Sequence, residues 1–403
     1  MRNVCLVLGV VFVFLLVCSL FGGVFVLGES VVPPEEDVWV KLAPMQQERC
    51  ELGAAVVDGK IYAMGGTEIT YPWPYYKERK AVDTVEMYDP VTNSWVYQTP
   101  MPESSNIFAT AVFENKIYCI GAGASRTLNW VYDPASHTWE SRAAAPVSML
   151  MAQAHVVGGK IYVLGGSPRG FSNWVYDPWS DNWTRGALIP GGFWGSSVVY
   201  EDKIYVVGAY VDPSYWDGSG FNITSEVATL VQVYDPEKDT WTVTATGGPY
   251  CLDGLFTLST SGLYAPPKIY CLSYSQESFG GHPVRGTVYE NMAFDLETMS
   301  WKYASGLPVM RADAAMVVVD DLVYVIGGYD PYRSMFSGGS NLQPVRIVLG
   351  VVERYTPLGY GRVAPVVSVL SLEAGGCMIL VMFFLSLLWI IRWFGLGIVL
   401  MAG

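Results

Sequence analysis

Two short phrases carry the charged groups whose types and spacing come nearest to a binding or catalytic set. "RCE" places Arg49 two residues before Glu51, and "RAD" repeats the arrangement at Arg311 and Asp313. "CLD" puts Asp253 in a comparable place further along the chain. A guanidinium donates in a planar fork and a carboxylate accepts, so such a cluster binds sugar hydroxyls or a charged peptide side chain. The same groups can give acid–base help, which is all that the opening of a sugar ring needs. A solvated polar rim, or ion pairs between neighbouring structural units, would use these residues equally well.

Aromatic side chains form a second set. Tyr71, Trp73, Tyr75 and Tyr76 crowd one segment, Tyr215 and Trp216 another, and Tyr332 a third. Flat amphipathic rings at an exposed rim suit stacking on sugar faces or burial against a protein. Rings that pack on one another to order their own loops are the alternative. Histidine offers less, because His137, His155 and His282 fall on a turn, a strand and a loop of different copies of the repeat described below. They make no plausible metal cluster. No Gly-rich phosphate loop is present either, so neither a metal nor a cofactor is expected. A net charge of −13, without a basic stripe, argues against nucleic acid as a partner.

The elements that must position these residues come from a repeat. "MYDPVTNSW", "VYDPASHTW", "VYDPWSDNW" and "VYDPEKDTW" keep Tyr and Trp seven apart through changing intermediate residues. Upstream of each lies a turn dipeptide followed by a short β-branched and aromatic strand, as in "DGKIYAMGG" (58–66) and "GGKIYVLGG" (158–166). Related pieces begin at 114, 201, 266 and 320, giving six copies with a mean period of about 53 residues. Another short apolar strand precedes each, so every copy reads as four antiparallel strands. Such a sheet cannot cover both of its faces alone, and the sheets must stack radially.

The chain resembles the kelch-repeat β-propeller family over about residues 37–360, since six copies carry both halves of the motif. The resemblance implies an all-β, six-bladed propeller. Copy five departs most, with "YCLSY" in place of the glycine pair and "AFDLETMSW" in place of "YDP". Tyr355 has no Trp after it and Trp39 has no Tyr before it, so the N-terminal strand is expected to complete the last blade. Some members of this family are enzymes, including copper radical oxidases and sialic acid mutarotases. The histidines do not fit the oxidases, whereas the Arg/carboxylate set keeps a mutarotase- or epimerase-like activity open. The reading preferred here is a binding module, with a structural surface-layer role as a third possibility.

In a meander of this kind the long second-to-third strand loops share one face, and both ends of the ring leave by the other. The longest inserts, in copies one, four, five and six, carry the aromatic set and lie on the first face. Residues 1–28 read as a signal peptide or anchor, 361–373 as a linker and 374–396 as a transmembrane helix. Trp389, Trp393 and Arg392 suit its membrane boundary. The expected location is the cell membrane, with the propeller outside the cytoplasm and a protein or glycan as its ligand. "NWT" at Asn182 and "NIT" at Asn222 are glycosylation sequons.

Overall fold

Seven residues from Tyr to Trp is the length of a tight turn plus its two flanking strand ends. In the computed structural model this spacing makes the two rings direct partners across an antiparallel hairpin. Tyr88 pairs with Trp95, Tyr132 with Trp139, Tyr176 with Trp183, Tyr234 with Trp241 and Phe294 with Trp301. Their ring centroids lie 4.9–5.0 Å apart. The structure describes residues 35–70, 78–166, 171–190, 195–209, 229–245, 256–275, 278–279, 282–283, 288–296, 298, 300–309, 311–330 and 347–361.

The chain builds six four-stranded antiparallel sheets. Blade one is Gly53–Val57, Lys60–Met64, Val85–Asp89 and Ser94–Tyr97. Blades two to five begin with Ala109–Phe113, Gln153–Val157, Gly195–Tyr200 and Phe256–Ser259 and repeat the same order. Blade six takes Ala315–Val319, Leu322–Ile326 and Val352–Thr356 from the end of the propeller, and Val38–Leu42 from its start. Trp39 pairs with Tyr355, with centroids 5.0 Å apart, so the orphan Trp meets the orphan Tyr as expected. First strands touch first strands around a complete circle, which makes them the innermost wall. The apolar core consists of layers between adjacent sheets, each built from buried aliphatic and aromatic side chains of two neighbouring blades.

The repeated phrase also fastens each blade to the one before it. The indole N–H of Trp95, Trp139, Trp183, Trp241 and Trp39 donates to the carbonyl of Ala43, Thr99, Ala143, Ala187 and Ser305 respectively, at 2.8–3.2 Å. Each acceptor follows the outermost strand of the preceding blade. The amide N–H of Ala43, Ala143, Ala187 and Ser305 is held in turn by Asn93, Asp181, Asp239 and Asp37. Those four side chains also accept the hydroxyl of Tyr88, Tyr176, Tyr234 and Tyr355. At these four blade junctions one residue is thus gripped at both its N–H and its C=O. Asn93, Asp181, Asp239 and Asp37 all have φ near +50 to +58°, a region that Asn and Asp tolerate best after Gly. His137 takes this place in blade two, and Phe294 removes the hydroxyl in blade five.

The paired glycines have a packing role. A Cβ on Gly65 would lie 2.3 Å from the Ser105 carbonyl oxygen, and one on Gly327 2.4 Å from that of Arg49. The entry segment of each following blade therefore presses on the glycine of its predecessor, and any side chain there would push the blades apart. Blade five lacks these glycines, and its second and third strands run on, pairing from Lys268↔Asp295 to Ser275↔Val288. In blade one the same pairing covers only Ile61↔Tyr88 to Met64↔Val85. The departure noticed in copy five lengthens a hairpin and leaves the blade intact.

Among the described residues no helix is long and apolar enough to cross a membrane. The segments 1–28 and 374–396 and nearly all of the linker 361–373 lie outside the described residues.

Candidate functional site

The mouth of the channel on the loop-bearing face is made by the residue just before each innermost strand begins. Four equivalent positions, eleven before the strand-two Tyr, are described: Asp313, Glu51, Ile107 and Met151 of blades six, one, two and three. All four are left-handed, with φ of 52, 57, 52 and 59°. For a β-branched residue such as Ile107 this conformation is costly and needs its surroundings to impose it. The backbone supplies that constraint: Glu51 N–H donates to the Asp313 carbonyl, and Ile107 N–H to the Glu51 carbonyl. Neighbouring blades are stitched at this ring, and "RCE" and "RAD" are adjacent across the closure, as their positions in the repeat required.

The two arginines of those phrases do not line the mouth. Arg49 is fully buried in an ion pair with Glu86, and its guanidinium also donates to the Ala63 and Gln47 carbonyls. Arg311 is 2% exposed, paired with Glu353, and donates to the Val351 carbonyl at 2.7 Å. Burial pulls both guanidiniums below their ordinary pKa, and the partner carboxylates oppose that pull. Their placement corrects the expectation that Arg49 and Arg311 contact a ligand, since no solvent-facing donor remains on either. Each one ties its own blade's entry segment to its third strand. Glu86 also accepts the Gln46 and Gln47 amides. A sequence signal existed: only copies one and six carry Arg at this place, and only they have Glu two residues before the third-strand Tyr ("EMY", "ERY").

Other guanidiniums occupy the mouth instead. Arg79 comes from a small hairpin, Thr67–Thr70 with Glu78–Ala81, that stands in the first long insert. It pairs with Glu51, whose side chain is only 8% exposed. Thr67 and Asn106 donate to the same carboxylate at 2.5 and 3.1 Å. Burial alone would raise the Glu51 pKa, but the hydrogen bonds from Arg79, Thr67 and Asn106 outweigh it and hold the carboxyl below its usual range. Asp313 contributes to the field that raises Arg79, behind the larger effect of its hydrogen bond to Glu51. Asn106 then passes the network on: its amide oxygen accepts from Arg126 at 2.7 Å, and its backbone carbonyl accepts from the same guanidinium. Beyond Arg126 the mouth turns apolar, with Leu150 40% and Met151 71% exposed.

Sequence reasoning missed Arg79 and Arg126 because neither belongs to the repeat. Tyr71, Trp73, Tyr75, Tyr76, Tyr215, Trp216, Tyr332, Asp253 and the sequon Asn222 lie outside the described residues. Asn182 is exposed at the start of the outermost strand of blade three. Among the described residues no group of His, Cys, Asp and Glu has metal-binding geometry. Cys50, Cys119 and Cys271 are buried thiols, and burial raises that of Cys119.

Among the described residues, the inner wall holds one titratable cluster. His155, on the first strand of blade three, is 2.6 Å from the Ser197 hydroxyl of blade four, and that hydroxyl donates to Gln153. Burial lowers the His155 pKa to about 4. The folded protein thus binds fewer protons than the unfolded chain between about pH 6.5 and pH 4, so His155 makes stability fall as pH drops through that window. His155→Gln is expected to flatten the slope of unfolding free energy against pH there. An unchanged slope in urea titrations at several pH values would show that the imidazole is protonated in place.

A family model for the Kelch motif matches residues 48–102 and 310–338, which are blade one with its entry and the first two strands of blade six. This six-bladed β-propeller carries Kelch motifs in blades one and six. Mouse Kelch-like protein 28 is 34% identical over 108 residues, covering 26% of this chain and 19% of that protein. The mouse Influenza virus NS1A-binding protein homolog is 34% identical over 88 residues, 22% of this chain and 12% of the relative. Kelch-like ECH-associated protein 1A from Danio rerio is 31% identical over 94 residues, 23% and 15%. The matches thus span less than a fifth of each of these relatives. The solved structure of YjhT superposes with a TM-score of 0.51 at 12% identity, over 76% of this chain and 96% of that one. At that identity the likeness concerns the fold alone.

Proposed function

We propose that this kelch propeller is an exported, membrane-tethered binding module that holds a protein partner on its loop-bearing face. The observation that carries the reading is the ring of left-handed residues Asp313, Glu51, Ile107 and Met151, which spends backbone strain to set acidic and then apolar side chains around one mouth. Strain of this kind collects at functional sites, and exposed Leu150 and Met151 have no role in the core. Two of the similar proteins are named for proteins with which they associate, and this supports a protein ligand over a glycan. The tether rests on the sequence of the two apolar ends, and on Asp37 and Thr356 leaving the ring side by side, on the face opposite the mouth. A sugar-modifying activity loses its support with Arg49 and Arg311 buried away from the mouth.

The test pairs topology with capture. Protease added to intact cells should remove the propeller, and full-length protein should retain a cell-surface partner. Trp73→Ala and Trp216→Ala should each weaken that capture by roughly 1–3 kcal/mol while the melting temperature stays put. Protection from protease would overturn the location. Loop substitutions that lower the melting temperature and spare binding would make these rings packing elements.

A further inference from the structure

The chain of contacts at the mouth runs Arg79, Glu51, Asn106, Arg126, and its two ends differ. Arg79 has a carboxylate. Arg126 has only the carbonyl and amide oxygens of Asn106, and among the described residues no acidic group forms an ion pair with it. Glu103, on the same side of blade two, accepts from the Ala124 N–H instead. Arg126 is itself held in place: its φ is +60°, its N–H donates to the Gly123 carbonyl, and its own carbonyl accepts from Met149. Asn106 cannot turn away to release it, because its amide nitrogen is fixed by Glu51 and by Thr67 at 2.7 Å. A half-exposed guanidinium is therefore presented in one orientation by neutral oxygens, with N–H donors to spare.

The segment bonded to the Arg126 backbone is apolar. Met149, whose N–H donates to the Arg126 carbonyl, is buried, and the tight turn that follows lifts Leu150 and Met151 into solvent, closed by the Ala152 N–H donating to the Met149 carbonyl. Ile107, left-handed and half-buried, follows Asn106 directly. On a chain of net charge −13 this is a fixed cationic donor bordered by exposed aliphatic surface. A planar fork pre-aligned in this way favours a carboxylate, since no side-chain freedom is lost on pairing.

We propose that Arg126 and Met151 together form a subsite for an acidic–aliphatic peptide segment, in which an Asp or Glu side chain meets the guanidinium and an adjacent aliphatic residue covers Met151 and Leu150. This rests on the reading of the loop-bearing face as a protein-binding face, and it names the chemistry of the partner.

The experiment pans a library of random peptides against the full-length chain in lipid nanodiscs and then measures one selected peptide by fluorescence polarisation. Wild-type protein should select peptides with Asp or Glu beside Leu, Ile, Val or Met. Arg126→Gln should abolish the acidic preference and weaken the selected peptide by roughly tenfold or more. Met151→Ser lies on an exposed turn and should fold normally, and it should abolish the aliphatic preference alone. Raised salt should weaken the wild-type complex and leave Arg126→Gln little changed. Basic or purely aliphatic selected peptides would overturn the subsite while sparing the binding-face reading. Acidic peptides that bind Arg126→Gln and Met151→Ser as tightly as wild type would do the same. A library and a cell-surface capture that both return nothing would sink the binding-face reading itself.

Discussion

Removing residues 37–43 is expected to abolish the cooperative thermal transition of the propeller. The deletion takes Val38–Leu42 out of blade six and leaves the length of Val352–Thr356 as an unpaired edge. It also strips Trp39 from the face of Tyr355 and from the Ser305 carbonyl, and it removes Asp37, which holds both the Ser305 amide and the Tyr355 hydroxyl. All cross-links of the blade five to blade six latch are lost in one change. Calorimetry of the shortened protein should show aggregation or a broad, low-enthalpy transition. A single sharp transition at the wild-type temperature would mean that the ring closes without this strand.

Glu86→Ala is expected to cost about 3–5 kcal/mol of stability, because it leaves Arg49 charged and fully buried with only carbonyl partners. The Gln46 and Gln47 amides lose their acceptor in the same step. Joint replacement, Arg49→Met with Glu86→Met, should recover most of that loss, since an apolar pair avoids the desolvation cost. Urea midpoints of the three proteins decide the matter. A single variant as stable as wild type would show that water reaches the pair. A double variant as unstable as the single one would show that the amide contacts of Glu86 matter more than its charge.

The propeller was legible in the sequence because its signals are local. Tyr132 and Trp139 are seven residues apart on the chain and opposite one another in a hairpin, so one spacing fixes turn, strands and ring contact together. Closure was legible for the same reason, as a Trp and a Tyr each lacking its partner. The site was legible only in part. Glu51 and Asp313 were correctly set side by side, because their positions follow from the repeat. Whether a side chain at such a position faces solvent depends on packing between blades, and there Arg49 and Arg311 misled. Their spacing from Glu51 and Asp313 looked like a binding set, whereas each reaches inward to a third-strand Glu 37 or 42 residues away. Arg79 sits in the first long insert and Arg126 in the short link between the second and third strands of blade two, segments whose residues change from copy to copy, so periodicity carried no information about them.

The clasp around the exit of the last blade has a consequence for force. Asp321, itself buried, accepts the amides of Ser261, Tyr264 and Ala265, and so fixes the long turn of blade five. That turn holds the departing chain: Gly361 N–H donates to the Tyr264 carbonyl, and Tyr360 stacks on Tyr264 at 6.2 Å. Glu36, on the entering chain, accepts the Gly359 amide. A pull that separates the two tails would meet this knot first and would then peel Val38 from Thr356 one pair at a time. A pull on both tails in the same direction, resisted by a load on the opposite face, draws the two strands along together. No hydrogen bond between them is then asked to open before the rest, so the ring bears tension across its faces better than tension between its ends.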